Sequence, residues 1–377
     1  MSFTELQLIE PLMEALKKKS YTVPTPIQSK SIPPILEGKD ILGCAQTGTG
    51  KTAAFSLPML QLLHNSKNGS RRNIRALILA PTRELATQIK ESIDTYGSGL
   101  GLTHTVIFGG VSQVNQVNRL KQGVEILIAT PGRLLDLMQQ GLIKLNHIEF
   151  FVLDEADRML DMGFIHDIKK IIEKLPAKRQ TLLFSATFPD EIKKLSSKLL
   201  KDPVQISVTP VASTVDTVKQ VVYYVNKADK RSLLKHVIKN ESIDHAIVFT
   251  RTKRGADRIV RELNKSGIKS DSIHGDKSQN ARERALKSFK SRSIQILVAT
   301  DIASRGIDVD KLSHVINFEI PETPEAYVHR IGRTGRAGES GTALSFCTED
   351  EMDYMKQIRK LIRKDPEIYE SHPYSNR

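Results

Sequence analysis

The sequence holds no tryptophan and only two cysteines, and aromatic residues make up 5% of its 377 positions. So low an aromatic content argues against a broad base-stacking platform of the kind that single-strand binders present. Cys44 and Cys347 lie in opposite halves, which gives neither metal-ligand spacing nor a disulfide framework. Both are expected to be small buried residues. No apolar run approaches the length needed to span a bilayer. Residues 1–20 have neither a basic start nor a small-residue cleavage site, and their spacing of apolar side chains predicts an amphipathic helix. A cytoplasmic protein is the expectation.

What is present is ordinary for a globular chain: 39% hydrophobic and 26% charged residues, in a length that suits two domains with a core each. Lys plus Arg number 56 against 43 Asp plus Glu, a net charge of +13 that divides almost evenly between the two halves. An excess of this size suits a polyanionic partner shared by two lobes, with a merely solvated surface as the competing reading.

Short β-rich apolar runs alternate with helical patterns, the signature of α/β units on a mainly parallel sheet. Strands are predicted at 40–44, 76–80, 103–108, 125–129, 150–154, 181–185 and 204–208, with crossover helices such as 84–96 and 165–174. Small and polar residues interrupt the alternation at 209–218, which marks a linker between a domain over 1–208 and another over 219–377. The second domain repeats the scheme with strands at 219–225, 246–249, 270–273, 295–299, 314–318 and 342–346, and closes on a helical stretch at 349–364.

Ala45, Gln46, Thr47, Gly48, Thr49, Gly50, Lys51 and Thr52 follow a predicted strand and precede a helical pattern, the context that a phosphate loop requires. Gly48 and Gly50 allow the backbone N–H groups to turn inward, and the helix N-terminus adds partial positive charge. Lys51 is expected at the β- and γ-phosphates of ATP and the Thr52 hydroxyl on Mg²⁺. Farther on, the apolar run from Phe150 ends in Asp154, Glu155 and Asp157, which places carboxylates at the edge of the sheet where ligands bind. Asp154 suits the metal, directly or through water, and Glu155 the attacking water, while Asp157 alone reads equally as a helix cap.

Asp154-Glu-Ala-Asp157, with the phosphate loop and the segments below in order, resembles the DEAD-box RNA helicases over nearly the whole length, in particular the bacterial RhlE-type proteins. The resemblance implies two tandem RecA-like domains. It also implies that Phe3 stacks on the adenine while Gln28, in Tyr21-Thr-Val-Pro-Thr-Pro-Ile-Gln28, accepts from N6–H and donates to N7. Ser20 stands where the family usually has glycine.

RNA contacts are implied on the first domain at Pro81, Thr82, Arg83, Gly109, Gly110, Thr130, Pro131, Gly132 and Arg133. On the second they are implied at Thr250, Arg251, Gln279, Arg282, Thr300 and Asp301. Such a grip reads the backbone and the 2′-OH groups rather than the bases. Arg333 and Arg336 would serve as arginine fingers, Gly306 and Asp308 would complete the nucleotide site, and Asp157, Ser185, Thr187, Arg305 and His329 would couple the domains. The implied activity is RNA-stimulated ATP hydrolysis with non-processive unwinding of short duplexes by a monomer, in company with RNA-processing proteins. An ATP-gated RNA clamp is the alternative reading, and a DNA translocase a third. Beyond Lys364 only a short segment follows, so specificity for a given RNA is expected to come from partners or from an extension that this sequence leaves out.

Overall fold

The computed structural model describes residues 2–45, 48–66, 73–208, 218–301, 312–335 and 341–375. The chain separates into two compact units, Met1–Val208 and Thr209–Arg377. No helix among the described residues is long and apolar enough to cross a membrane.

In the first unit, seven strands form one parallel sheet: β1 (Ile41–Cys44), β2 (Ala76–Leu79), β3 (His104–Ile107), β4 (Ile126–Ala129), β5 (Phe150–Leu153), β6 (Gln180–Ser185) and β7 (Val204–Ser207). Their order across the sheet is β3-β4-β2-β5-β6-β1-β7. The central strands β2, β4, β5 and β6 were legible as apolar runs because both faces of the sheet are covered there, whereas the edge strand β7 exposes Gln205 and Ser207. The alternation of Cβ directions sends Ala76, Ile78, Phe150 and Val152 into one core and Leu77, Leu79, Phe151 and Leu153 into the other. The first core lies under α1 (Glu10–Lys18), α2 (Pro26–Leu36), α3 (Lys51–Asn65) and α4 (Arg83–Tyr96). The opposite face carries α5 (Val114–Lys121), α6 (Pro131–Gln139), α7 (Ala156–Asp161), α8 (Ile165–Ile172) and α9 (Asp190–Leu199).

The second unit has the same plan. Its strands are β8 (Val218–Tyr224), β9 (Ala246–Phe249), β10 (Ser270–Ile273), β11 (Ile296–Ala299), β12 (His314–Asn317), β13 (Gly341–Cys347) and β14 (Glu367–Ile368). The sheet order β10-β11-β9-β12-β13-β8-β14 matches that of the first sheet position by position, with β8 in the place of β1. Its helices are α10 (Lys230–Asn240), α11 (Lys253–Lys265), α12 (Gln279–Lys290), α13 (Pro324–Ile331) and α14 (Met352–Ile362). The two tandem parallel sheets flanked by helices are the expected α/β architecture.

Four details differ from the sequence reading. The single helix expected over the first twenty residues is a short 3₁₀ turn, Phe3–Leu6, followed by α1, because Gln7 takes a left-handed conformation at φ 56° and Pro11 sits in the first turn of α1. The helical stretch at 349–364 begins as a 3₁₀ turn, Glu349–Glu351. The two-residue edge strand β14 has exposed side chains on both positions and no apolar alternation to announce it. Cys347 is buried as expected, whereas Cys44 at the end of β1 is only half-buried.

Ser20 adopts φ 57°, so the position where the resemblance calls for glycine does take the left-handed conformation. A side chain there costs about 1 kcal/mol. Ser20→Gly is expected to recover about 0.5–1 kcal/mol, read as a higher urea midpoint with an unchanged slope.

Candidate functional site

The phosphate loop leaves β1 and enters α3 with Gly48 at φ 84° and Gly50 at φ 91°, the conformations for which glycine was expected. Gly50 caps the helix, and Lys51 is its first residue. Lys51 is buried, and so is Asp154 just past the end of β5; Lys51 Nζ lies 4.0 Å from Asp154 Oδ1. Neither atom has a hydrogen-bond partner among the described residues. A buried ammonium and a buried carboxylate oxygen are costly to leave unmade, so this pair marks a place prepared for charged ligand atoms. Thr49 and Thr52 are half-buried beside them, while Gln46 and Thr47 lie outside the described residues.

Burial pushes the Asp154 carboxyl up to about 6; the Lys51 ammonium pulls it down and the Glu155 carboxylate adds to the rise. The neutral acid is therefore held more firmly by the folded chain than by the unfolded one, whose carboxyl titrates near 3.8. The stability this contributes is complete below that lower value and is lost as pH rises through about 6. Asp154→Asn is expected to remove that slope, so the gap between the urea midpoints of the two proteins should change between about pH 4 and pH 7. A constant gap would contradict the burial argument.

Glu155 occupies the left-handed region at φ 55°, as the N-cap of α7. A non-glycine residue held there stores strain of the kind found at functional turns. Its Oε2 accepts from Arg158 Nη1 at 2.5 Å, and both side chains are buried. The sequence reading had given Arg158 no role, although the spacing of three on a helix start was visible.

Asp157 is a hub rather than a simple cap. Its Oδ2 accepts from Ala186 N at 3.1 Å, Thr187 N at 2.8 Å and Thr187 Oγ1 at 3.0 Å. Its own N–H donates to Ser185 Oγ, which in turn donates to Thr187 O. The acidic turn after β5 is thus fastened to the Ser185–Thr187 turn after β6.

The adenine-reading segment lies directly against the phosphate loop. Gln28 is buried; its Oε1 accepts from Thr25 N and its Nε2 donates to Gly50 O at 3.2 Å. A Cβ on Gly50 would stand 2.4 Å from Gln28 Nε2, so only glycine allows this approach. Phe3 is packed inside the first core at 2% exposure, where its ring adds apolar surface to the cluster instead of presenting an open face.

The residues expected to contact RNA gather at the carboxyl ends of neighbouring strands. In the first unit Pro81, Thr82 and Arg83 follow β2, Gly109 and Gly110 follow β3, and Thr130, Pro131, Gly132 and Arg133 follow β4. The Arg83 guanidinium lies where a Cβ of Gly110, at φ 72°, would meet it at 1.9 Å, and Arg133 Nη2 donates to Val111 O at 3.1 Å. In the second unit Thr250 and Arg251 follow β9, Thr300 and Asp301 follow β11, and Gln279 and Arg282 open α12 after β10.

Several of these side chains are engaged internally, Arg251 with Glu351 and Gln279 with Glu283 among them. Thr250 Oγ1 donates to Glu319 Oε2, and Asp301 is held through both oxygens by Arg330, at 2.6 and 2.7 Å. Arg330 is buried, also donates to Asn317 Oδ1 and Glu319 O, and lies over the Phe249 ring. It is a second residue that the sequence reading passed over, hidden between His329 and Arg333. Arg333 itself is 3% exposed, and the fingertip expected of it is folded into its own unit. Arg305, Gly306, Asp308 and Arg336 lie outside the described residues.

Comparison with known proteins identifies related chains and folds. The family model for DEAD/DEAH box helicases matches residues 25–195, and that for the helicase conserved C-terminal domain matches residues 229–338. The chain is 46% identical over 365 residues to the ATP-dependent RNA helicase CshA of Limosilactobacillus reuteri, covering 96% of this chain and 72% of that protein. It is 44% identical to CshA of Streptococcus pneumoniae, covering 97% and 69%. Among solved structures, Saccharomyces cerevisiae Dbp5 bound to RNA and ADP BeF3 superposes with a TM-score of 0.84 at 32% identity, covering 98% of this chain and 95% of that one. Mss116p bound to ssRNA and AMP-PNP gives 0.87 at 29% identity, covering 99% and 80%.

Proposed function

The chain belongs to the DEAD-box family of ATP-dependent RNA helicases, and from that membership we propose that it hydrolyses ATP in response to RNA and couples turnover to closure of its two units on an RNA strand. The outcome is local, non-processive opening of short duplexes or remodelling of RNA–protein complexes. Residues 1–208 carry the ATP-binding domain, 209–218 the linker and 219–377 the second helicase domain. The protein acts in the cytoplasm as a monomer, with RNA held mainly by its backbone.

The observation that carries this reading is the buried pair Lys51 and Asp154 at the mouth of the glycine turn, with Glu155 the next residue. Lys51 meets the β- and γ-phosphates, and Gln28 selects the adenine. Glu155 takes a proton from the attacking water as its oxygen bonds to the γ-phosphorus. The bond from that phosphorus to the bridging oxygen breaks, leaving ADP and phosphate. Arg333 and Arg336 are assigned to the charge on the transferred group.

No cluster of three or more His, Cys, Asp or Glu that could cage a metal occurs among the described residues. One carboxylate oxygen without a partner and one hydroxyl suit Mg²⁺, which keeps phosphate and water among its ligands. Mg²⁺ bound with the nucleotide would be held by Thr52 and Asp154 and would neutralise charge on the phosphate oxygens.

The test is ATP-dependent release of a strand from RNA and DNA duplexes of graded length. Release confined to short duplexes containing RNA is expected. ATP-dependent retention of RNA without strand release would favour the clamp, and equal release from long DNA the translocase.

A further inference from the structure

We propose that the second unit carries an additional phosphodiester-binding track, in a cavity of about 470 Å³ between the start of α10 and the start of α11, which takes the RNA strand beyond the residues already assigned to it. The inference rests on the reading of the protein as an RNA binder.

The cavity occupies a meaningful place in the fold. β8 stands in its sheet where β1 stands in the first, and Lys230 is the first residue of α10 as Lys51 is of α3. This is the carboxyl edge of the strands, where open α/β sheets bind ligands. Six cationic and three acidic residues line the cavity.

Two of the three acidic groups are already in use, and the third, Asp350, is exposed at the rim. Glu351 accepts from Lys230 at 2.6 Å and from Arg251 at 2.6 Å, and Glu319 accepts from Thr250 Oγ1 and Arg251 N. Arg231 is paired with Glu262 on α11, which ties the two walls together. Lys227 on one wall and Arg254 and Arg258 on the other are exposed and have no carboxylate partner among the described residues. Arg254 and Arg258 are four apart on α11 and share one face.

The form of the site selects an extended chain of phosphates over a nucleotide. The connection 225–229, Val-Asn-Lys-Ala-Asp, has no glycine with which to wrap a polyphosphate, unlike Gly48 and Gly50 in the first unit. The counterpart of Lys51 is closed to ligands, since Lys230 Nζ is held by Glu351 and by Phe346 O. What is left is a row of cations along the rim, beginning next to Thr250 and Arg251 at the end of β9. A phosphodiester backbone meets such a row with several phosphates in succession.

The test uses the full chain with a non-hydrolysable ATP analogue and labelled oligouridylates of about 6 and about 20 nucleotides, at several salt concentrations. In Lys227→Gln/Arg254→Gln/Arg258→Gln the affinity for the longer strand is expected to fall about tenfold or more. Its slope of log affinity against log salt should shrink by about 2, as three phosphate contacts are lost. Affinity for the shorter strand and ATPase at saturating short RNA should stay as in the unmodified protein. Equal loss on both strands would place these cations in the primary site, and loss on neither would remove the track; either outcome overturns the proposal. Competition by tripolyphosphate that displaces only the longer strand's extra affinity supports the assignment, whereas tripolyphosphate bound more tightly than the strand reassigns the cavity and overturns it. Failure of the unmodified protein to bind the shorter strand would instead refute the RNA-binding reading itself.

Discussion

Glu155→Gln is expected to stop ATP turnover while nucleotide and RNA binding persist. The amide keeps the size and one acceptor oxygen of the carboxylate but cannot take a proton from water at neutral pH, so the loss should be on the order of 10²–10⁴ in kcat with little change in nucleotide affinity. The structure adds a complication, because Glu155 is the buried partner of Arg158. Neutralising one member leaves a guanidinium with no counter-charge, and breaking a buried pair from one side costs about 3–5 kcal/mol. A dead enzyme could then be merely an unfolded one. Two measurements separate these cases: the thermal midpoint of the variant, and its ability to bind RNA in the presence of ATP. Retained folding with retained turnover would dismiss Glu155 as the base.

The companion variant Arg158→Met removes the guanidinium and keeps much of its stem. Without that positive neighbour the buried carboxylate is harder to ionise, so the acid limb of the kcat–pH profile should move to higher pH. A structural role alone would lower activity at every pH without moving that limb. Arg158 thus acts as a positioning residue, and the left-handed backbone of Glu155 suggests why one is required: a strained turn aims the carboxylate only if something holds it.

The contrast between what the sequence revealed and what it concealed follows from the range of each interaction. Thirteen of the fourteen strands were legible because most are short apolar or β-rich runs bounded by turn residues, a pattern local to four to seven residues. The phosphate loop and the acidic turn were legible for a similar reason, since their chemistry is contiguous. Hidden were the contacts between segments distant in sequence: Asp157 with Ala186 and Thr187, Asp301 with Arg330, Glu351 with Lys230 and Arg251. No periodicity records which carboxylate meets which cation across a hundred positions. The finger role expected of Arg333 and the RNA contact expected of Asp301 did not anticipate that Arg333 is buried and that Asp301 is clasped by Arg330, since a charged side chain reads as solvated until its partner is found. Gln28 shows the intermediate case. Its amide was expected to face a base, and the structure shows the same amide spanning from Thr25 to the loop at Gly50, a contact that a bound base would have to share or replace.

Lys51→Met should abolish nucleotide binding without destabilising the chain that holds no nucleotide. Lys51 Nζ is buried, stands 4.0 Å from Asp154 and makes no hydrogen bond among the described residues. An ammonium in that state gains little from a single carboxylate beyond bonding distance, against a desolvation cost of several kcal/mol. Methionine fills the same space without the charge, and the neighbouring carboxyl, already pushed up to about 6 by burial, can take a proton when the ammonium is gone. The thermal midpoint of the variant alone should therefore equal or exceed that of the unmodified protein. With nucleotide present the order reverses. Ligand at about 100 times its dissociation constant stabilises the unmodified protein by roughly 2.7 kcal/mol, and the variant should gain none of it. A nucleotide-induced rise in midpoint that survives in Lys51→Met would show that the phosphates are held elsewhere, and a collapse of the ligand-free variant would show that Lys51 supports the fold. The expected pattern, stability gained and binding lost, is the mark of a charge that the fold tolerates for the sake of its ligand.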